Sequence, residues 1–206
     1  MAILEEHCVL DVLSDKILSE CYPFTCGDED MDEFFRKDAL SYTKYRMGKS
    51  YCFRMKDNMQ IIVACFTVSN DSIRIYDLPS TRRNAMWGLT HHEKILTRYP
   101  GVLVGRLAVS SNYSGAGIGS EVLDFIKMWF LDKNNKTGCR FAIVDAKNQP
   151  YILRFYKRNG FKSLFPREID EDLYTKPPKN EREFEERKNN PRCLRTRLMF
   201  SDLLED

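Results

Sequence analysis

Residues 101–120 read GVLVGRLAVSSNYSGAGIGS, an apolar run that leads into a glycine-rich loop. The loop carries Gly115, Gly117 and Gly119, and an amphipathic pattern over residues 118–131 begins at once. This order predicts a strand, a loop and a helix N-terminus. Glycine allows positive φ and close approach of a ligand to the backbone, and unpaired N–H groups at a helix N-terminus attract anions. The stretch therefore predicts either a pyrophosphate-binding loop or an ordinary tight turn.

Two common phosphate-binding motifs do not fit this loop. A Walker A loop ends in Gly-Lys-Ser/Thr, whereas Gly119 is followed by Ser120 and Glu121. A dinucleotide-binding fingerprint needs a first strand of the fold and an acidic residue about 20 positions further on. The predicted strand at 102–109 lies in the middle of the chain, so this motif is also disfavoured.

Length and composition favour a single domain over residues 1–206, because 43% hydrophobic residues are enough to form a core. No run of 18 apolar residues is present, and the first residues do not resemble a signal peptide. The seven cysteines form no Cys-x-x-Cys pair, which predicts neither a zinc site nor a disulfide framework. We therefore expect a reduced, cytoplasmic protein without a metal and without a membrane partner.

The charge is unevenly distributed along the chain. Residues 1–30 have a net charge of −7, residues 31–166 of +11 and residues 167–206 of −2. A basic central region suits a polyanionic ligand such as a phosphate-rich cofactor or RNA, although ordinary solvated surface charge explains it equally well.

Hydrophobic periodicity predicts a mixed α/β fold. The predicted strands are 7–13, 50–55, 61–69, 102–109, 140–145, 161–165 and 193–201, and the predicted helices are 28–46, 91–99, 118–131 and 150–158. Residues 166–192 are charged and contain Pro177-Pro178, which predicts an exposed insertion before the last strand.

Three segments together resemble the GNAT N-acetyltransferases. They are the strand RLAV at 106–109, the loop SGAGIG at 114–119 and the helix end FYKRNGF at 155–161. The family loop has the pattern Gln/Arg-x-x-Gly-x-Gly/Ala, and Ser114 stands where Gln or Arg is usual. The resemblance implies a central, mostly antiparallel sheet, splayed at the acetyl-CoA site and flanked by helices.

Further segments resemble the GNAT toxins of type II toxin–antitoxin systems. They are FTCG at 24–27, MDEFF at 31–35, GRLAV at 105–109 and VDAK at 144–147. These toxins acetylate the α-amino group of aminoacyl-tRNA and block translation. The resemblance thus implies acetyl-CoA as donor, aminoacyl-tRNA as acceptor, a cognate antitoxin and a homodimer. The acidic first 20 residues and the insertion at 166–192 depart from the family.

The resemblance also implies roles for individual residues. The pantetheine arm and the pyrophosphate would bind the strand and the loop through Leu107, Ala108, Val109, Ser114, Gly115, Ala116, Gly117, Ile118, Gly119, Ser120 and Gln149, with Asn148 as the alternative to Gln149. Tyr156 matches the family tyrosine that protonates the leaving thiolate; its alternative role is that of a core aromatic. No protein base is assigned, because an α-amino group has a pKa of roughly 7.7–8.0 and is partly neutral already.

Binding of tRNA requires Lys and Arg side chains on phosphates. The candidates are Lys44, Arg46, Arg82, Arg83, Arg98 and Arg158, of which Arg82 and Arg83 are expected in a loop near Trp87. His91 and His92 are interpreted as surface residues rather than bases. Two other functions stay open: acetylation of another amine, such as a protein N-terminus, a lysine or a polyamine, and non-catalytic binding of coenzyme A or RNA.

Overall fold

The computed structural model describes residues 3–76, 78–89 and 96–205. In chain order the elements are α1 (Ile3–His7), β1 (Cys8–Val12), α2 (Asp15–Glu20), α3 (Glu29–Glu33), a π-helical turn (Phe34–Asp38), α4 (Ala39–Lys44), β2 (Lys49–Met55), β3 (Ile62–Arg74), α5 (Ser80–Leu89), β4 (Arg98–Val109), a 3₁₀ turn (Ser111–Tyr113), α6 (Ile118–Leu131), β5 (Phe141–Lys147), α7 (Pro150–Arg158), β6 (Lys162–Ser163), α8 (Glu168–Thr175), α9 (Glu181–Asn189) and β7 (Thr196–Asp202).

The chain forms two compact units. The first unit comprises Met1–Asn70 and Leu103–Lys136, and the second comprises Asp71–Val102 and Thr137–Asp206. Both β3 and β4 contribute residues to each unit. None of the described helices is long and apolar enough to cross a bilayer, and all seven cysteines are free thiols.

The first unit is built on antiparallel strands. β1 pairs with β2 along its whole length, and β2 pairs with β3. The register places Cys52 opposite Cys65 and Tyr51 opposite Phe66, and all four side chains are buried. β4 lies next to β3 in the sheet order. The acidic first 20 residues are therefore part of the fold, since they supply the edge strand β1.

The helix predicted over 28–46 is confirmed, but its middle is π-helical. Asp28 caps the first turn by accepting a hydrogen bond from the Met31 N–H. The π-helical turn widens the helix, and the adjacent residues Phe34 and Phe35 both enter the apolar core that also contains Ala108. The apolar pattern predicted that this face is buried, but it did not predict the π-helical hydrogen bonding.

In the second unit, β5 pairs with β7 and β7 with β6, both antiparallel. The first part of β4 lies close to β5, because the Arg140 N–H donates to the Pro100 carbonyl at 2.9 Å. A side chain at Gly101 would bring its Cβ to 2.8 Å from the Phe141 carbonyl oxygen. This close approach explains the glycine in an otherwise apolar strand.

Most residues of the insertion at 166–192 are exposed, as predicted. The sequence did not reveal that the segment folds into α8 and α9 and that Glu171, Asp172 and Arg187 are buried. The charges are buried because they are paired: Arg187 Nη1 lies 3.6 Å from Asp172 Oδ2, and Arg197 Nε donates to Glu171 Oε2 at 2.8 Å. The charged composition therefore predicted the exposure of most of the segment, but not the burial of these three side chains.

Most other predicted elements are confirmed, and two differ. Helices α6 and α7 have the predicted bounds. The strand predicted over 161–165 shrinks to the two residues of β6. Of the helix predicted over 91–99, residues 91–95 lie outside the described residues, as do His91 and His92, while Arg98 and Tyr99 begin β4. The prediction of helix at Arg98 and Tyr99 is wrong because the β4 pairing continues through them.

Candidate active site

The glycine-rich loop leads directly into the N-terminus of α6. Gly117 precedes the helix with a φ of 83°, and Gly115 has a φ of 80°. Among the residues that the structure describes, no side chain caps this helix. The N–H groups of Ile118 and Gly119 in the first turn therefore have no intrahelical partner. Glycines at positive φ and unpaired N–H groups at a helix N-terminus together form a backbone surface that can bind an anion.

The loop residues differ in their accessibility. Ser114, Gly115, Ala116 and Gly117 are exposed, Gly119 and Ser120 are half-buried, and Ile118 is buried. A bound anion would thus meet backbone groups and the Ser114 and Ser120 hydroxyls, while Ile118 fixes the helix to the core of the first unit.

A turn at Thr25 holds the start of this loop. The Thr25 carbonyl accepts hydrogen bonds from the Ser111 N–H at 2.9 Å and the Ser111 hydroxyl at 3.2 Å. Asp32 fixes the turn, since its carboxylate accepts from the Thr25 hydroxyl at 2.6 Å and from the Cys26 N–H at 2.7 Å. Burial opposes the charge of Asp32, but these hydrogen bonds outweigh it and lower the pKa of the carboxyl. The N-terminal motif therefore positions the glycine-rich loop.

The strand motif GRLAV of β4 contacts the N-terminal motif through Arg106. Arg106 Nη1 lies 3.3 Å from Asp30 Oδ2, and its guanidinium lies 5.0 Å from the centre of the Phe34 ring. Ala108 is buried in the core of the first unit, whereas Leu107 and Val109 are half-buried. Because side chains alternate along a strand, Leu107 and Val109 lie on the opposite face from Ala108. The Ala108 side chain is therefore not accessible to a ligand.

Tyr156 lies in the second unit, near the C-terminus of α7. The helix ends in a Schellman motif: the Phe161 N–H donates to the Tyr156 carbonyl, and the Gly160 N–H donates to the Lys157 carbonyl. Gly160 has a φ of 80°, which explains why this motif contains glycine. The motif folds Phe161 back against Tyr156, with ring centres 5.4 Å apart.

The Tyr156 side chain is well packed, but its hydroxyl is free. The ring also contacts Phe155, at 5.2 Å between centres. Burial raises the pKa of Tyr156 to about 12. Within the described part of the chain, no hydrogen bond engages the Tyr156 hydroxyl, and the half-buried side chain leaves this oxygen accessible. A protonated, unpartnered hydroxyl on a fixed ring is suited to donate a proton.

Asn148 and Gln149, the two alternative acetyl-CoA-binding residues before α7, have different environments. The Asn148 side chain donates to Glu168 Oε1 at 3.1 Å and to the Leu194 carbonyl at 2.9 Å, so it fastens this loop to the insertion. Gln149 is exposed at the N-cap position of α7, and its side chain does not cap the helix in the described structure. The structure therefore favours Gln149 over Asn148 as the ligand-binding candidate.

The candidate RNA-binding residues are spread over both units. Lys44 ends α4 in the first unit, and both Lys44 and the following Arg46 are exposed. Arg82 and Arg83 lie on α5 of the second unit, not in a loop as predicted, and Arg83 stacks on Trp87 at 5.6 Å. The remaining candidates, Arg98 at the start of β4 and Arg158 at the end of α7, are exposed. Within the second unit they lie on three separate elements.

Sequence patterns did not single out Asp145, which lies in the second unit. Asp145, within the quoted VDAK motif, lines an open cavity of about 390 Å³ together with Asp71, Arg74 and Arg98. An available signal was the strand pattern of β5, in which Asp145 interrupts a run of buried apolar residues.

Comparison with known protein families shows which family the glycine-rich loop and the Tyr156 helix resemble. Residues 67–163, which include the glycine-rich loop and the Tyr156 helix, match the acetyltransferase (GNAT) domain. The chain carries a GNAT acetyltransferase domain. The GNAT fold expected from the sequence is therefore confirmed.

Solved structures share the GNAT fold at low sequence identity. AtaT complexed with acetyl-methionyl-tRNAfMet has a TM-score of 0.61 and 18% identity over 76% of this chain and 87% of that chain. AtaTR bound with acetyl-CoA has a TM-score of 0.57 and 19% identity over 78% and 88% of the two chains. A mutant AtaT toxin bound to the C-terminus of the antitoxin AtaR and acetyl-CoA has a TM-score of 0.54 and 14% identity over 95% and 93%.

The conformation of Gly117 leads to a testable prediction for the GNAT domain. A Gly117→Val substitution should weaken binding of acetyl-CoA at least tenfold, since a β-branched residue pays about 1–2 kcal/mol in the left-handed region and the loop would change conformation. Isothermal titration calorimetry measures this affinity. Gly138→Ala is the matched control, because its Cβ would meet nothing within 4 Å. Unchanged affinity in the valine variant would exclude this loop as the cofactor site.

Proposed function

We propose that this GNAT domain transfers the acetyl group of acetyl-CoA to the α-amino group of aminoacyl-tRNA, and that it acts in the cytoplasm as a translation-blocking toxin. The observation that carries acetyl transfer is the free hydroxyl of Tyr156, held on a packed ring inside the matched domain. Tyr156 is half-buried, and its hydroxyl is not among the buried polar atoms without a partner, so an incoming thioester sulfur could reach it.

In this proposal the uncapped N-terminus of α6 binds the pyrophosphate of acetyl-CoA through backbone N–H groups and the helix dipole. The acceptor amine attacks the thioester carbonyl, and the C–S bond breaks. Tyr156 protonates the sulfur that leaves. Holding both reactants in line supplies much of the rate acceleration.

The choice of aminoacyl-tRNA as acceptor is supported by the exposed residues after α4. Lys44 and Arg46 flank Tyr45, whose side chain is 71% exposed. An exposed aromatic ring between two cations can stack on an unpaired base while the cations meet phosphates. The similar structures of AtaT with an acetylated aminoacyl-tRNA and with an antitoxin support the same acceptor and an antitoxin partner. A homodimer belongs to the same proposal.

A transfer assay tests this function. Radiolabelled acetyl-CoA is incubated with charged tRNA, uncharged tRNA, a peptide panel and a polyamine. We expect label on charged tRNA alone, with a rate that falls as salt is raised because phosphate contacts are screened. Label on the peptides would refute the toxin function and keep the acetyltransferase chemistry. The polyamine is included because the cavity at Asp71 and Asp145 favours a cationic acceptor.

A further inference from the structure

The strand β1 lies at an edge of the sheet in the first unit. Among the described strands it pairs with β2 alone, in an antiparallel ladder. At one end of this ladder the Lys56 N–H donates to the His7 carbonyl at 2.8 Å. At the other end the Leu13 N–H donates to the Ser50 carbonyl at 3.0 Å. Because main-chain groups alternate in direction along a strand, the odd-numbered residues of β1 direct theirs toward β2.

The even-numbered residues of β1 direct their main-chain groups away from β2. Within residues 3–76, 78–89 and 96–205, no hydrogen bond engages the N–H or C=O groups of Leu10 and Val12. These groups form a free edge on the sheet. A free edge is a template for pairing with another extended chain, because the added main-chain hydrogen bonds require no change of fold.

The side chains of β1 that face α6 are apolar and partly exposed. Val12 lies opposite Tyr51 in the β1–β2 register, and the Tyr51 ring contacts Trp129 of α6 at 4.9 Å between centres. Directly opposite residues of an antiparallel pair share a face, so Val12 and its second neighbour Leu10 both face α6. Val12 is 42% exposed and Leu10 is half-buried. An added strand would cover both side chains.

Met128 extends this apolar surface from α6. The Leu4 N–H donates to Glu121 Oε2 at 2.8 Å, so the side of α6 that carries Glu121 faces α1, which leads directly into β1. Met128 follows Glu121 by about two helical turns and therefore lies on the same side of the helix. Its side chain is 73% exposed. Leu10, Val12 and Met128 thus form an apolar strip beside the free edge.

The opposite face and both ends of β1 are acidic. Asp11 points away from α6, where Arg54 donates to its Oδ2 atom at 2.8 and 2.7 Å. The described hydrogen bonds leave Asp11 Oδ1 available, and the side chain is 32% exposed. Glu5 and Glu6 precede β1 and Asp15 follows it, and all three are exposed. A chain that pairs with β1 therefore meets carboxylates on one face and apolar groups on the other.

These charges decide which kind of chain suits the edge. A second copy of β1 would bring the same carboxylates close to one another, and like charges on paired strands are destabilising. The first 30 residues as a whole have a net charge of −7. Lys56 is already engaged, since its ammonium group donates to the Glu5 and Glu6 carbonyls at 2.9 and 2.8 Å. The complementary occupant is therefore a basic strand.

We propose that the free edge of β1 binds an extended segment of a partner protein, in which apolar residues alternate with lysine or arginine, as an added antiparallel strand. The apolar side chains of the segment cover Leu10, Val12 and Met128. Its basic side chains, on the other face, meet Asp11 and the acids at the ends of β1. Antiparallel pairing continues the pattern of β1 with β2 and is the more stable arrangement per residue. The inference goes beyond the proposed function, because it adds a protein partner that acetyl transfer does not require.

The binding of a fluorescein-labelled peptide, KVRVKVR, to the whole chain tests this pairing by fluorescence anisotropy. In an antiparallel pair, the peptide residues that bond to Leu10 and Val12 are those whose side chains share their face, here the valines. Methylation of the valine amide nitrogens should therefore weaken binding about tenfold or more. Methylation of the lysine and arginine amide nitrogens, which point to solvent, should leave the affinity nearly unchanged. The peptide VVVKRKR has the same charge without the alternation, and it should bind more weakly than KVRVKVR.

Variants of the protein test the same surface from the other side. Leu10→Pro removes an outward N–H but keeps the hydrogen bonds to β2, and we expect it to raise the Kd for KVRVKVR about fivefold. Met128→Ala should raise the Kd about threefold, because part of the apolar contact is lost. Met47→Ala is the matched control, since Met47 is 62% exposed after α4, and it should bind as the unchanged protein does. Each variant should keep its affinity for acetyl-CoA, which shows that it folds.

Three results would overturn the inference. They are equal binding of the two methylated peptides, weaker binding of only the peptide that is methylated on lysine and arginine, and equal binding of KVRVKVR and VVVKRKR. A dimer of the unchanged protein that Leu10→Pro dissociates in analytical ultracentrifugation would assign the edge to a second copy and would also overturn it. If Leu10→Pro does not fold, the methylated peptides and Met128→Ala decide. The transfer assay tests the proposed function separately, so failure of one leaves the other standing.

Discussion

Replacing Tyr156 by phenylalanine is expected to lower kcat for acetyl transfer by about 100-fold or more. The substitution removes the hydroxyl that protonates the leaving sulfur. It retains the ring, which packs on Phe155 and Phe161, so the fold and the affinity for acetyl-CoA should not change. Because burial raises the pKa of Tyr156 to about 12, the donor stays protonated at every pH at which the enzyme would be assayed.

The measurement is kcat from initial rates of acetyl transfer, together with acetyl-CoA affinity by calorimetry. Tyr151→Phe is the matched control, because Tyr151 lies on the same helix and is 69% exposed. We expect this control to keep its kcat. If Tyr156→Phe also kept kcat within about threefold, Tyr156 would be a core aromatic and another proton donor would be required.

The second large effect concerns stability. Replacing Glu171 by alanine should lower the free energy of unfolding by about 3 kcal/mol. Glu171 is 2% exposed and accepts hydrogen bonds from Arg197 Nε at 2.8 Å and from the Leu198 N–H. Its removal leaves the Arg197 guanidinium, which is itself largely buried, without its main counter-charge.

Urea unfolding followed by circular dichroism measures this loss. Arg167→Ala is the matched control: it breaks an ion pair with Asp170 on the same helix, but the Arg167 side chain is 73% exposed. The control should leave the urea midpoint nearly unchanged, since exposed ion pairs contribute little. An equal midpoint for Glu171→Ala and the unchanged protein would mean that the buried pair does not hold α8 on β7.

Local sequence signals predicted the parts of the site that depend on local backbone geometry. Glycines at positive φ mark the loop before α6 and the Schellman motif after Tyr156, and both were recognisable from residue type and spacing. The bounds of α6 and α7 followed from apolar periodicity and from the glycines beside them. Such features need no information about distant residues.

Features that depend on distant partners were not predictable in this way. The buried charge of Glu171 is stabilised by Arg197, 26 positions away, so its burial could not be predicted from the composition of a segment that is otherwise mostly exposed. The placement of Arg82 and Arg83 in a loop was wrong because a helix, α5, forms within a segment whose mixed composition shows no clear apolar periodicity.

The hydrogen bonds from Ser111 to Thr25 have a consequence for how this domain can be divided. The GNAT match begins at residue 67, yet the turn that holds the glycine-rich loop is built from Thr25 and Asp32. A polypeptide cut to residues 67–163 would also leave β3 without its neighbour β2. The smallest independently folding acetyltransferase from this chain must therefore keep the N-terminal segment, and a truncation between Thr25 and residue 67 should abolish cofactor binding while sparing every residue of the matched region.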